Sequence, residues 1–200
     1  MPIIFLSPST QDWNQYVTGT GSEEYHMNQI ADALEPYLLA NGIRWTRNDP
    51  SGTAGSAIRQ ANRDYYDLYL ALHSNAAPEG RYGSERGIIV FYYPTSSQGR
   101  RAAELIAREL RDIYPLPDKV TTRSTTTLGE VRLSRAPAVL AEIGYHDNVS
   151  DARWVETHTD DIAQQLGRAL TEFFSLPFSY PIQAQEGTVR VNYGTLNLRE

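Results

Sequence analysis

Short apolar runs alternate with helical patterns along most of this chain, and that alternation limits the folds open to it. Apolar residues three and four positions apart predict helices within 27–38, 102–113 and 150–174. The runs that predict strands end near Leu6, Arg47, His73, Tyr93 and Gly144. Strands that alternate with helices usually form a parallel sheet. The sequence therefore predicts an α/β fold, a mostly parallel open sheet with helices on both faces.

Composition excludes several classes of protein. The chain has 200 residues, and 40% of them are hydrophobic, a globular profile large enough for a buried core. It contains no cysteine, so any metal would be held by histidine and oxygen donors. The net charge of -6 argues against nucleic acid as a partner. No apolar run approaches the roughly 20 residues of a membrane span.

The chain divides by pattern into three parts. Residues 1–175 carry the strand and helix alternation and predict one domain, and 176–185 predict a linker with two prolines. Residues 186–200 alternate like an exposed strand followed by a turn, too little for an independent domain. They are expected to be the start of a truncated second domain. The first residues lack a charged region and a cleavage site, which predicts a strand and not a signal peptide.

Three chemically active positions are expected at one edge of the sheet. His73 ends the buried run Leu68–Leu72, and Glu142 lies in the apolar run Ala138–Gly144. Glu23 and Glu24 begin the helix after the first strand, where Thr20 and Glu23 fit a capping box. The carboxyl ends of parallel strands meet at one edge, where ligands bind. A histidine with a carboxylate can hold zinc, and a second carboxylate can serve as general base.

Each of these residues also has a purely structural explanation. Glu23 and Glu24 could only cap a helix, and His73 could only pack at a strand end. Glu142 is harder to explain in this way, because a carboxylate inside an apolar strand is costly unless it is paired. Function is therefore favoured most strongly at Glu142.

At these residues the chain resembles the zinc-dependent N-acetylmuramoyl-L-alanine amidases that have an amidase-3 catalytic domain. The segments Glu24–Asn28, Leu70–Ala76 and Val139–Tyr145 are similar to the family's ligand glutamate, ligand histidine and catalytic glutamate motifs. Asp147 and Asn148 follow as the family pattern expects. The resemblance covers residues 1–175. It implies cleavage of the amide between N-acetylmuramic acid and the first L-alanine of the peptide stem, with peptidoglycan as the partner.

The resemblance also implies roles for individual residues. Glu24 and His73 would bind zinc, and Glu142 would take a proton from the attacking water. The family's first strand normally ends in a glycine and a ligand histidine, but this chain has Ser7–Gln11 there and no histidine. Gln11 is expected to be a weak third ligand in its place, with a water molecule as the alternative. Zinc is the expected cofactor.

Two other functions stay open at this stage. A non-catalytic cell-wall-binding module on the same fold would explain the missing histidine, and a different hydrolase or binding domain would keep the fold alone. The segment 187–199 resembles the first strands of a bacterial Src-homology-3-like wall-binding domain. Action in the cell wall or outside the cell is expected. Without a signal peptide, release would follow lysis, as for a phage endolysin, or a non-standard route.

Overall fold

A computed structural model describes residues 1–182, which form a six-stranded sheet flanked by helices. The strand order is β2-β1-β3-β6-β4-β5, and all neighbours are parallel except β4 and β6. The predicted mostly parallel sheet is thereby confirmed. The strands are β1 (Ile3–Pro8), β2 (Arg44–Arg47), β3 (Leu68–Asn75), β4 (Ile88–Tyr92), β5 (Val120–Ser124) and β6 (Ala138–Tyr145).

Helices cover both faces of the sheet, as predicted. They are α1 (Glu23–Ala40), α2 (Ala54–Ala61), α3 (Ser97–Arg111), α4 (Gly129–Arg132), α5 (Val149–Thr157) and α6 (Thr159–Phe173). Successive strand residues point to opposite faces. Leu68, Leu70 and Leu72 of β3 therefore join a core with α1, α3, α5 and α6, whereas Tyr69 and Ala71 join a second core with α2 and α4.

The start of α1 differs from the prediction. Ser22 caps the helix, and its hydroxyl accepts a hydrogen bond from the backbone N–H of Tyr25. The predicted capping box of Thr20 and Glu23 is wrong, because Thr20 turns away and pairs with His26 and Glu156. Glu23 lies on the buried face of α1, four residues before the buried Met27.

One loop begins and ends at the same edge of the sheet. Residues 76–87 connect the carboxyl end of β3 to β4, which runs in the opposite direction. The Asp147 carboxylate, from the turn after β6, accepts hydrogen bonds from the backbone N–H groups of Ala77 and Gly83. The buried Asp151 accepts from Gly87 N–H at the end of the loop. The loop is thus attached to the segment that follows β6.

The remaining sequence predictions divide into those that the structure describes and those that it does not. The sequence pattern predicts no strand or helix within 118–136, but the structure has β5 and α4 there. The structure describes the predicted linker only as far as residue 182. The predicted second domain at 186–200 lies outside the described residues. No helix within residues 1–182 is long and apolar enough to cross a membrane.

Candidate active site

His73 lies between two carboxylates at the carboxyl edge of the sheet. Its Nδ1 atom is 2.8 Å from Glu23 Oε1, and its Nε2 atom is 2.8 Å from Glu130 Oε2. All three side chains are buried. Burial disfavours a charged imidazole, but the hydrogen bonds to Glu130 and Glu23 outweigh it and hold the pKa of His73 well above its usual value. Such a pair of partners fixes the ring in one orientation.

Strand register brings Glu142 to the same place. His73 of β3 lies opposite Glu142 of β6, and both side chains share a face of the sheet. Glu142 Oε2 is buried and has no hydrogen-bond partner within the described part of the chain. Burial, together with the nearby negative charges of Glu23 and Glu130, raises the pKa of Glu142 to about 7. Near neutral pH this carboxyl group can therefore both accept and donate a proton.

Glu23, and not Glu24, faces His73. Glu23 is 1% exposed, and its other oxygen accepts a hydrogen bond of 2.8 Å from Asn14 Nδ2. Glu24 accepts instead from the side chain of Asn28, one turn along α1. The choice of Glu24 as the partner of His73 was therefore wrong. Glu23 faces the sheet edge because it is in line with Met27 and Ile30 on the buried face of α1.

Gln11 lies beside the side chains of Glu23 and His73. Its Nε2 atom is 3.3 Å from Glu23 Oε1 and 3.4 Å from His73 Nδ1, and its Oε1 atom accepts from Asn14 Nδ2 at 3.1 Å. The structure thus brings Gln11, Glu23 and His73 together. The ligand role of Gln11 stays a prediction.

Sequence reasoning missed Glu130, the second partner of His73. Glu130 comes from the four-residue helix α4, and its Oε1 atom accepts hydrogen bonds from Ser7 Oγ at 2.9 Å and Tyr69 OH at 2.8 Å. The surrounding segment shows no regular apolar pattern that would predict a buried carboxylate.

A cavity of about 240 Å³ adjoins His73 and Glu130, between the end of β1 and the start of α2. Trp13 lies at its rim and is 68% exposed, so the cavity has an aromatic surface that a substrate could contact. A larger depression of about 890 Å³ lies at the opposite edge of the sheet, around residues 62–67 and 135–137. It contains none of the residues around His73.

Polar atoms of Gln11 and Glu23 meet on the Nδ1 side of the His73 ring. Within residues 1–182 no group of three His, Cys, Asp or Glu side chains is arranged to hold a metal. The amide of Gln11, however, completes a triangle with Glu23 and His73 whose sides are 2.8, 3.3 and 3.4 Å. A tetrahedral zinc ion with bonds of about 2.0–2.2 Å holds its ligand atoms about 3.3–3.6 Å apart. Two sides of the triangle already have this length, and the third, the 2.8 Å hydrogen bond between Glu23 and His73, must lengthen by about 0.5 Å. The Gln11 amide must also turn, so that its oxygen leaves Asn14 and faces inward. With these two adjustments the three residues fit zinc.

Comparison with known proteins identifies the family. Residues 9–172 match the sequence model of the Amidase_3 family, described as N-acetylmuramoyl-L-alanine amidase. The chain belongs to the amidase-3 family. The match covers His73, Glu142 and the other residues of the site. Comparison with curated proteins gives no match.

Solved structures share the amidase-3 fold at low sequence identity. The N-acetylmuramoyl-L-alanine amidase AmiC2 of Nostoc punctiforme superposes with a TM-score of 0.74 at 16% identity, over 87% of this chain and 97% of that one. The catalytic domain of CwlV from Bacillus (Paenibacillus) polymyxa var. colistinus gives 0.73 at 15% identity, over 88% and 100%. The catalytic domain of the CD27L endolysin, which targets Clostridia difficile, gives 0.66 at 19% identity, over 86% and 97%.

Proposed function

We propose that this amidase-3 protein hydrolyses the amide bond between N-acetylmuramic acid and the first L-alanine of the peptidoglycan stem peptide, in the cell wall or outside the cell. One observation carries the proposal beyond family membership. Glu142 is partly buried, and its buried Oε2 atom has no partner among the described residues, in the strand position directly opposite His73. A desolvated carboxylate without a structural partner is costly for a fold, and such groups are typical of catalytic sites.

We propose that Gln11 Oε1, Glu23 and His73 Nδ1 hold a zinc ion, with Glu23 replacing the sequence-based choice of Glu24. When bound, zinc would polarise the scissile carbonyl and acidify water. The triangle of donor atoms supports this set of ligands. The resident residues supply two strong ligands and one weak one, because amides are less basic than imidazole or carboxylate.

Glu142 carries the proton transfers of the reaction. It accepts a proton from the water that attacks the amide carbon, and it delivers that proton to the nitrogen of the departing L-alanine. One water is consumed, the muramic acid lactyl group becomes a carboxylate, and the stem peptide gains a free amino terminus. In the metal-free site burial raises the pKa of Glu142 to about 7, within the range of general acids and bases.

The alternative is a non-catalytic wall-binding module on the same fold, and Gln11 in place of a ligand histidine is the observation that favours it. A single assay separates the two. Purified protein is stripped with a chelator and incubated with purified cell walls, with and without added zinc, and new alanine amino termini are labelled and counted. We expect release only with zinc. Binding to walls without release at saturating zinc would leave the binding module as the function.

The role of Gln11 has its own test. We expect Gln11→Ala to lower zinc affinity by about tenfold, because one of three ligands is lost, and Gln11→His to raise it above that of the wild type. Zinc affinity is measured by competition with a coloured chelator. Gln15→Ala is the matched control, since Gln15 lies in the same loop but bonds to the Asp12 carbonyl instead. Equal zinc affinity in Gln11→Ala and wild type would remove Gln11 from the metal site.

A further inference from the structure

Glu130 is a buried carboxylate that the proposed reaction does not use. It lies on the side of the His73 ring opposite Glu23 and Gln11. We infer that Glu130 is a positioning residue, which accepts the Nε2–H of His73 and so keeps Nδ1 directed at the zinc site. The inference rests on the proposed function, because it assumes that His73 Nδ1 binds a metal.

The contacts of His73 explain why a positioning residue is needed. A neutral imidazole carries its proton on either Nδ1 or Nε2, and a metal can bind only the nitrogen without it. Glu23 is an equally close acceptor at Nδ1 in the metal-free site, but a metal ion would displace the proton on that side. The acceptor at Nε2 then holds the remaining proton away from the metal. The 2.8 Å contact between Glu130 Oε2 and His73 Nε2 supplies that acceptor. Carboxylates in this position generally orient metal-binding histidines and make them better donors.

Glu130 is itself held rigidly. Its Oε1 atom accepts from Ser7 on β1 and from Tyr69 on β3, four residues before His73. Tyr69 OH also lies 3.0 Å from Ser7 Oγ, so the three groups form a closed network. Glu130 therefore fixes the His73 ring relative to both β1 and β3.

Glu130 is not placed to be a metal ligand. Its Oε1 atom is occupied by two hydroxyl donors, and its Oε2 atom points at the histidine nitrogen that lies away from Glu23. The three polar atoms that come together do so at Nδ1, on the other side of the ring. The geometry assigns Glu130 to orientation and the Nδ1 side to the metal.

The test compares two variants of nearly equal side-chain length. Glu130→Met removes the acceptor and is expected to weaken zinc binding by about 10–100-fold. Glu130→Gln keeps a carbonyl acceptor without charge and is expected to recover most of that loss. Asp67→Asn is the control, because Asp67 accepts from Ile3 N–H at the opposite end of β3 and should leave zinc affinity unchanged. Thermal unfolding of each zinc-free protein checks that it is folded.

A second readout follows the histidine itself. In zinc-loaded wild type, long-range proton–nitrogen NMR spectra of the imidazole should show His73 with its proton on Nε2 alone. Glu130→Met should show a shifted or broadened signal, whereas Glu130→Gln should resemble wild type. A side chain with only a packing role would change the stability but leave this signal in place.

The outcomes separate the inference from the proposed function. If wild type binds no zinc, the proposed metal function falls and the inference with it. If wild type binds zinc, and Glu130→Met matches it in affinity and in the His73 signal, the inference alone is overturned. Should Glu130→Met not fold, the double variant Ser7→Ala/Tyr69→Phe, which releases Glu130 from both anchors, must weaken zinc binding at least threefold. Unchanged binding in that variant overturns the inference equally.

Discussion

Glu142→Gln should reduce amide cleavage by about 10²–10⁴-fold while zinc content and folding stay as in wild type. Glutamine has the same shape as glutamate, but it can neither accept the proton of the attacking water nor deliver one to the leaving amine. The carboxylate oxygen that it replaces has no hydrogen-bond partner to lose. The loss should appear in kcat much more than in KM, because the proton transfers belong to the transition state.

The measurement is the release of alanine amino termini from purified walls, with bound zinc quantified in the same samples. Glu104→Gln, on the exposed surface of α3, is the matched control and should be fully active. A Glu142→Gln protein that retains most of its activity with zinc bound would remove Glu142 from the chemistry.

Glu23→Ala and Glu24→Ala should differ sharply, although the two residues are neighbours in sequence. Glu23→Ala removes the carboxylate that faces His73 and Gln11, and zinc affinity should fall by more than the 10–100-fold typical of residues that only orient ligands. Glu24→Ala removes only a contact with Asn28 on the surface of α1, so zinc affinity should be within about twofold of wild type.

Zinc affinity, measured by chelator competition, is the deciding readout for this pair, since many changes near His73 would alter activity. Each variant serves as the control of the other, because both change the first turn of the same helix from glutamate to alanine. The reverse result, with zinc lost only in Glu24→Ala, would restore the assignment that the sequence motif suggested.

The sequence was sufficient to find His73 and Glu142 for a clear physical reason. Both lie in apolar runs that can only be buried strands, so a charged or titratable residue there is conspicuous. Their closeness follows from the rule that parallel strands bring their carboxyl ends to one edge. That β3 and β6 are neighbours, with His73 directly opposite Glu142, is seen only in the structure.

Glu23 and Glu130 were beyond sequence reasoning for different reasons. Glu23 and Glu24 lie four and three residues before the buried Met27, so both are near the buried face of α1. Which of them reaches His73 is seen only in the folded structure. Glu130 sits in a four-residue helix, too short to produce a periodic pattern. Its partners Ser7 and Tyr69 are 123 and 61 residues away in the chain, so only the folded structure reveals the network.

The antiparallel direction of β4 was not predicted, although the sequence contains a sign of it. Two parallel strands need a long crossover between them, usually a helix. The segment 76–87 between β3 and β4 is instead rich in glycine and polar residues and contains no helix. That missing crossover is the local signal that β4 runs against its neighbour β6.

The same reversal has an evolutionary consequence. Because the loop 76–87 leaves and re-enters the sheet at the edge where His73 lies, its length can change without rerouting any strand. Its attachments through Asp147 and Asp151 join it to the turn and helix that follow the Glu142 strand. Insertions and deletions can therefore reshape the surface at this edge of the sheet while Glu142 keeps its place in β6. Natural variation in which cell walls such enzymes attack should accumulate in this loop.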